Sequence, residues 1–120
     1  MRLPMMQYEG GCHCGNIKFT ATGELETLVA CNCSICSMHG SLHWLVAPAH
    51  FSLLSDPARM STYTFHRHII RHHFCPTCGC ATHNEGVTPD GRPIIAINSR
   101  CIRDIDPAQL TIKPFDGRSL

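Results

Sequence analysis

Three cysteines within six residues, Cys31-Asn32-Cys33-Ser34-Ile35-Cys36, are the part of this chain best equipped for chemistry. Such spacing lets one short segment grip a metal ion with three thiolates. Zinc takes four ligands in a tetrahedron, and a site with three protein ligands leaves the last position for a substrate. Three thiolates also give the centre a net negative charge and weaken its Lewis acidity relative to three neutral histidines. Hydrolysis by a metal-held hydroxide is therefore a poor fit. Binding and exchanging a further soft ligand, another thiol, is a good one. The competing reading is a second structural site, closed by a histidine, Cys80 or Cys101.

Two more cysteine motifs frame this one. Cys75-Pro76-Thr77-Cys78-Gly79 has the spacing of a metal knuckle, in which backbone N–H groups turn toward the sulfurs, with Gly79 placed where a Cβ would crowd the turn. Cys12-His13-Cys14 stands between Gly10-Gly11 and Gly15; in an extended segment Cys12 and Cys14 would share a face and His13 would point away. A knuckle needs two further thiolates to close a structural site, either Cys12 with Cys14 or Cys33 with Cys36. The first pairing leaves Cys31, Cys33 and Cys36 clustered on one loop, and local chelation loses less loop-closure entropy. It is the favoured sorting: Cys12, Cys14, Cys75 and Cys78 as a structural zinc site, with Cys31, Cys33 and Cys36 as a catalytic one. Four thiolates suit iron as well as zinc.

The elements that must carry these motifs read as strands. Ile17, Phe19 and Ala21 alternate with Lys18 and Thr20, the period of a half-buried strand. Leu42, Trp44 and Val46 alternate likewise up to Pro48. Residues 25–30, 51–54, 94–98 and 111–115 are further extended pieces, and 60–65 and 67–74 read as two paired strands. Residues 1–9 read as a loose lead-in, 37–40 as a turn and 102–108 as a loop or a single helical turn. Short strands punctuated by Gly, Pro, Asn and Asp predict an all-β domain.

At 120 residues the size prior predicts one domain, 1–120, whose motifs fill about 10–118. Charged residues are 16% of the chain and the formal net charge is +1, so neither nucleic acid nor an anionic membrane has an electrostatic claim on it. No apolar run approaches the ~18 residues of a membrane span, and the first residues lack the apolar core of a secretory signal. Nine cysteines, an odd number, seven of them in the three closely spaced motifs, favour metal ligation in a reducing cytoplasm over disulfides.

The order Gly-x-Cys-x-Cys-Gly (Gly10–Gly15), Cys-Asn-Cys-Ser-x-Cys (Cys31–Cys36) and Phe-Cys-Pro-x-Cys-Gly (Phe74–Gly79) resembles the glutathione-dependent formaldehyde-activating enzyme family, which also includes a centromere protein. Asn98-Ser99-Arg100-Cys101 and Phe115-Asp116-Gly117-Arg118 extend the likeness. The resemblance implies a zinc-stapled β-tent of short antiparallel strands and two zinc ions, with the same sorting of ligands. It also implies a carbon–sulfur lyase-like activity that joins a small thiol, glutathione or an analogue, to an aldehyde. The chain departs from the family at Ser37-Met38, where a basic residue often follows the claw, and at Asp56-Pro57. The first departure removes a cationic partner for glutathione's carboxylates. Arg67, Arg71, Arg100 and Arg103 are other cations, with no signal placing them near the metal.

The remaining candidates have ordinary readings. His39, three residues past Cys36, is a candidate proton shuttle or fourth ligand. His66 and His68 would share a strand face, while His72 and His73 would point oppositely; the default for all is an ordinary histidine. Cys80 and Cys101 read as small buried hydrophobes, Trp44 and Phe65 as core, and Asp116 with Arg118 as a terminal ion pair.

Overall fold

The computed structural model describes residues 5–119. Ten strands form two sheets. β1 (Met5–Gly11), β2 (Lys18–Glu24) and β5 (Phe51–Leu53) make a three-stranded sheet in the order β1-β2-β5. The other sheet has seven strands: β3 (Thr27–Cys31), β4 (His43–Val46), β6 (Ser61–Tyr63), β7 (Arg71–Phe74), β8 (Ala81–Val87), β9 (Pro93–Asn98) and β10 (Thr111–Phe115). They are ordered β10-β3-β4-β9-β8-β7-β6. Between β3 and β4 lies one short helix, α1 (Ser34–His39). No helix among the described residues is long and apolar enough to cross a membrane.

The strands form where the side-chain period is two. In β2, Phe19, Ala21 and Gly23 are buried while Lys18, Thr22 and Glu24 are exposed. The core joins Tyr8, Phe19 and Ala21 of the small sheet to Trp44, Val46, Ile95 and Ile97 of the large one, with Leu25 and Leu28 fully buried between. Tyr8 meets Trp44 edge-on, ring centroids 5.5 Å apart. Cross-strand register fixes which residues share this inner face. Trp44 pairs with Ile97, Ile97 with His83 and His83 with His73. The neighbouring row, Leu45, Ala96, Asn84, His72 and Tyr63, must then lie on the opposite face of the sheet, because successive residues point to opposite sides.

Several expectations need correction. The lead-in is strand β1 from Met5 onward, hydrogen-bonded to β2 throughout, while residues 1–4 lie outside the described residues. Gly10 and Gly11 belong to it, and a Cβ on either would run into Phe19 and Cys101 or into the Ile17 carbonyl. The turn expected at 37–40 is the end of α1, closed by Gly40 in the left-handed conformation (φ 67). The two long strands expected over 60–74 are shorter. Residues between β6 and β7 form a turn in which His66 and His68 have positive φ (55 and 56), so they do not share a strand face. One pairing is parallel: β10 runs beside β3, Thr111 opposite Thr27 and Phe115 opposite Cys31. That pairing delivers the C-terminal residues to the claw.

Candidate functional site

Two groups of cysteine sulfurs are brought together. Cys12, Cys14, Cys75 and Cys78 form one, and Cys31, Cys33 and Cys36 the other; within each, the sulfurs lie within 4.8 Å of one another. All nine cysteines are free thiols.

The first group joins the β1–β2 connection to the β7–β8 connection, at the edge of a small cluster containing Ile17, Leu53 and Met60. Cys12 and Cys14 sit in a turn rather than an extended segment, with the Gly15 N–H donating to the Cys12 carbonyl at 3.2 Å. Cys75 through Gly79 is also a turn, closed by Gly79 N–H to the Cys75 carbonyl at 2.8 Å. Gly79 is there for its backbone (φ 82); a Cβ would meet nothing within 4 Å, so the expected crowding is absent. Four donor sulfurs about 2.3 Å from a zinc ion would stand about 3.8 Å apart at the corners of a tetrahedron. Cys12 to Cys14 is 3.7 Å and Cys14 to Cys75 is 3.6 Å, so the group fits such an ion.

Backbone N–H groups point at these sulfurs. Ile17 donates to Cys12 at 3.2 Å, and Thr77 and Cys78 each donate to Cys75 at 3.4 Å. Donors aimed at a sulfur favour its anion. The Cys78 N–H, then that of Thr77, lower the Cys75 thiol, and the N–H groups of Cys80 and Cys14 bring Cys78 down to about 5. Cys80 packs against this group, half-buried, its sulfur receiving the His13 N–H. Cys101 is not in the group but feels its charge, donating to the Ala81 carbonyl at 3.5 Å, with burial and then the neighbouring cysteines pushing its thiol to about 12. Both are partly buried and pack against a core cluster, Cys101 the main one and Cys80 the small one, so they are less buried than expected.

The second group is built on the end of β3 and the start of α1. Cys33 caps the helix in extended conformation, and Cys36, one turn on, is buried. The helix is what swings Cys36 back toward Cys31 and Cys33. The Cys33 N–H donates to Cys31 at 3.4 Å. Burial raises the Cys31 and Cys36 thiols. Cys33 is drawn down, because the N–H groups of Cys36 and Ile35 and its neighbouring thiols outweigh its partial burial. Among the described residues no fourth histidine, cysteine or carboxylate completes this group.

The C-terminal residues clasp the claw, a feature the sequence reading missed. The Asn32 N–H donates to the Phe115 carbonyl at 3.1 Å. The Asn32 amide donates to Asp116 at 3.0 Å, and its carbonyl accepts from the Arg118 N–H at 2.9 Å. Arg118 then reaches the Ser37 hydroxyl at 3.5 Å. The Ser119 hydroxyl and the Asn32 amide hold the Asp116 carboxyl below its ordinary range. Arg118 is thus a cation beside the claw: it is bonded to Asn32 and Ser37, and its charge also helps to lower the Asp116 carboxyl. The signal available was a polar Asn32 set between two of the claw's cysteines and the Asp116-Gly117-Arg118 segment near the end.

Beside α1 opens a pocket of about 650 Å³, with Ile35 and Met38 of the helix on one side and Tyr63, Phe65, His72 and Phe74 on the other. Phe65, expected in the core, is therefore a pocket wall; Trp44 is core. His39 lines the same pocket. His73, on the inner face, is held between the Thr62 hydroxyl at 2.8 Å and Glu85 at 2.6 Å, with Arg71 on the same carboxylate at 2.8 Å.

Two comparisons bear on this arrangement. The family model described as glutathione-dependent formaldehyde-activating enzyme matches residues 7–115. A crystal structure of a Rhodobacter sphaeroides protein from a structural genomics programme has a similar fold, with a TM-score of 0.73 at 21% identity, over 90% of this chain and 100% of that one.

Proposed function

The chain belongs to the glutathione-dependent formaldehyde-activating enzyme family, and from that premise we propose that it makes or breaks the carbon–sulfur bond between a small thiol and an aldehyde, as a carbon–sulfur lyase. The thiol is received at Cys31, Cys33 and Cys36. The observation that carries this reading is the grouping of three cysteine sulfurs within 4.8 Å, without a fourth protein ligand among the described residues. Zinc held by these three sulfurs would supply a soft, weakly acidifying centre that favours the anionic form of a substrate thiol at neutral pH. Cys12, Cys14, Cys75 and Cys78 would hold a second zinc whose part is structural.

The chain's own residues do the rest. Helix α1 and the Cys33 N–H fix the spacing of the three sulfurs. The clasp of Asn32 by Asp116 and Arg118 keeps the Cys31–Cys33 segment from opening. In the joining direction the sulfur lone pair forms the new C–S bond, and the carbonyl π pair moves to oxygen. That oxygen takes the proton the thiol gave up, so no oxidant or reductant is needed. His39, which lines the adjoining pocket, would carry that proton. A reducing, cytoplasmic setting would keep the nine cysteines as thiols and ligands.

Exchange of formaldehyde with glutathione and with other thiols, followed by NMR, tests the reading against Cys33→Ser. The variant should fold and lose the acceleration; equal rates for both proteins would overturn the proposal. X-ray absorption with and without added thiol should show one ligand at the three-cysteine centre change. A fixed fourth protein ligand would leave a non-catalytic zinc module for binding a protein partner.

A further inference from the structure

The pocket beside α1 has a composition that its family name does not lead one to expect. Among its lining residues there is no lysine, arginine, aspartate or glutamate. His39 and His73 are its titratable walls besides His72, and His73 is already tied to Glu85. Tyr63 and Phe65 stack with ring centroids 5.7 Å apart, and Phe65 and His72 stack at 5.4 Å. Glutathione carries two carboxylates, which want guanidinium or ammonium partners and are costly to bury without them. The guanidinium beside the claw, that of Arg118, is directed to Ser37, which is not part of the lining, and Arg71 is held by Glu85.

One polar atom in this wall is unmatched. His72 is 6% exposed, and its Nε2 is buried with no hydrogen-bond partner among the described residues. Burial lowers the His72 imidazole and keeps the ring neutral, with the Asn84 side chain beside it acting in the opposite sense. Nε2 is thus an unpartnered ring nitrogen, donor or acceptor according to tautomer, on a residue that lines an aromatic wall. A hydroxyl both donates and accepts, so a ligand that brings one to this nitrogen satisfies it in either tautomer.

We infer that this pocket receives the organic group of the substrate, that this group is neutral and aromatic rather than the glutathione peptide, and that its hydroxyl hydrogen-bonds with His72 Nε2. The inference rests on the proposed thiol–aldehyde chemistry for the place of the pocket in a reaction: Ser34 and Ile35 line it, directly after Cys33 and beside Cys36. An adduct of a thiol and an aldehyde carries one hydroxyl on the carbon next to sulfur, which is the group His72 would hold. His72 is a positioning residue in this account.

The probe is benzyl alcohol, a ring and a hydroxyl without sulfur, titrated into the metal-loaded full chain. Its counterpart is S-methylglutathione, which has both carboxylates and no free thiol. Benzyl alcohol should shift the ring signals of His72, Tyr63 and Phe65 saturably, and His72→Phe, which preserves the stack, should weaken it by roughly 5- to 10-fold, one hydrogen bond's worth. S-methylglutathione should leave those signals in place. Met38→Lys, at a residue 88% exposed, should raise S-methylglutathione affinity without disturbing the fold. No shift with benzyl alcohol, equal affinity for the two probes, or unchanged affinity in His72→Phe would each overturn the inference. Benzyl alcohol binding also persists in Cys33→Ser if the inference holds. A chain that binds it but fails the formaldehyde exchange test loses the proposed chemistry and keeps the pocket.

Discussion

Replacing Gly117 by alanine would disturb the claw without touching a cysteine. The tail crosses so close that a Cβ there would stand 2.5 Å from Cys31 Sγ and 3.3 Å from Cys33 Cβ. Ordinary contact between such atoms needs about 3.5–4 Å, so sulfur or tail must give by roughly 1 Å. Overfilling a packed site by one methyl group typically costs about 1–3 kcal/mol, or roughly 5- to 150-fold in an equilibrium. Two responses compete. If Cys31 swings away, one of three ligands is lost to the metal. If the tail lifts, it breaks the bonds from Asn32 to Asp116 and Arg118, which are exposed and each worth about 0.5–1.5 kcal/mol. Either way the cysteine segment is less well held. The assay is timed release of zinc to a competing chelator, reading the two sites as two phases. Gly117→Ala should speed the phase of Cys31, Cys33 and Cys36 by 5-fold or more and leave the four-cysteine phase and the circular dichroism unchanged. An unaltered fast phase would mean that the tail is no part of the site and would refute the reasoning.

Cys75→Ser should leave the chain unfolded or strongly destabilised at room temperature even with zinc, because a structural zinc contributes about 10–16 kcal/mol of apparent binding free energy; thermal melting checks it. Cys33→Ser should melt within a few degrees of the parent. Gly10→Ala should be much more disruptive than Gly15→Ala. The first places a methyl against the Phe19 ring and 2.6 Å from the Cys101 carbonyl, whereas the second has free space and only the strain of φ 84 to bear, about 1 kcal/mol; urea unfolding separates them. His83, packed between Phe51 and His73, has its imidazole lowered to about 4 by burial. The unfolded chain therefore takes up this proton first, and stability falls as pH drops from about 6.5 toward 4, by up to ~3 kcal/mol for the one group. An NMR titration of the His83 ring should show no charging above pH 5, and a midpoint near 6.5 would contradict the burial argument.

The sequence by itself determined the motifs, the strand-rich character and the family resemblance, because cysteine spacing and period-two alternation are local properties. Ile17, Phe19 and Ala21 announce their burial in the pattern of their neighbours, and Cys75-Pro76-Thr77-Cys78-Gly79 announces a knuckle. Local reading failed where a distant partner decided the outcome. Met5–Gly11 has little pattern of its own and is a strand because β2 lies beside it. Gly79 was correctly marked as special but for the wrong reason, since the sign of φ cannot be read from the letter G.

Tertiary structure alone decided what surrounds the claw. The parallel register that sets Phe115 beside Cys31 brings Arg118 to a site more than eighty residues earlier in the chain. The pairing of β6 with β7 sets Tyr63 opposite His72 and makes both of them walls of α1's pocket. Both depend on which strand edges meet and in what register. Pairing of that kind is a contest among all the strands at once, and no single segment's composition settles it.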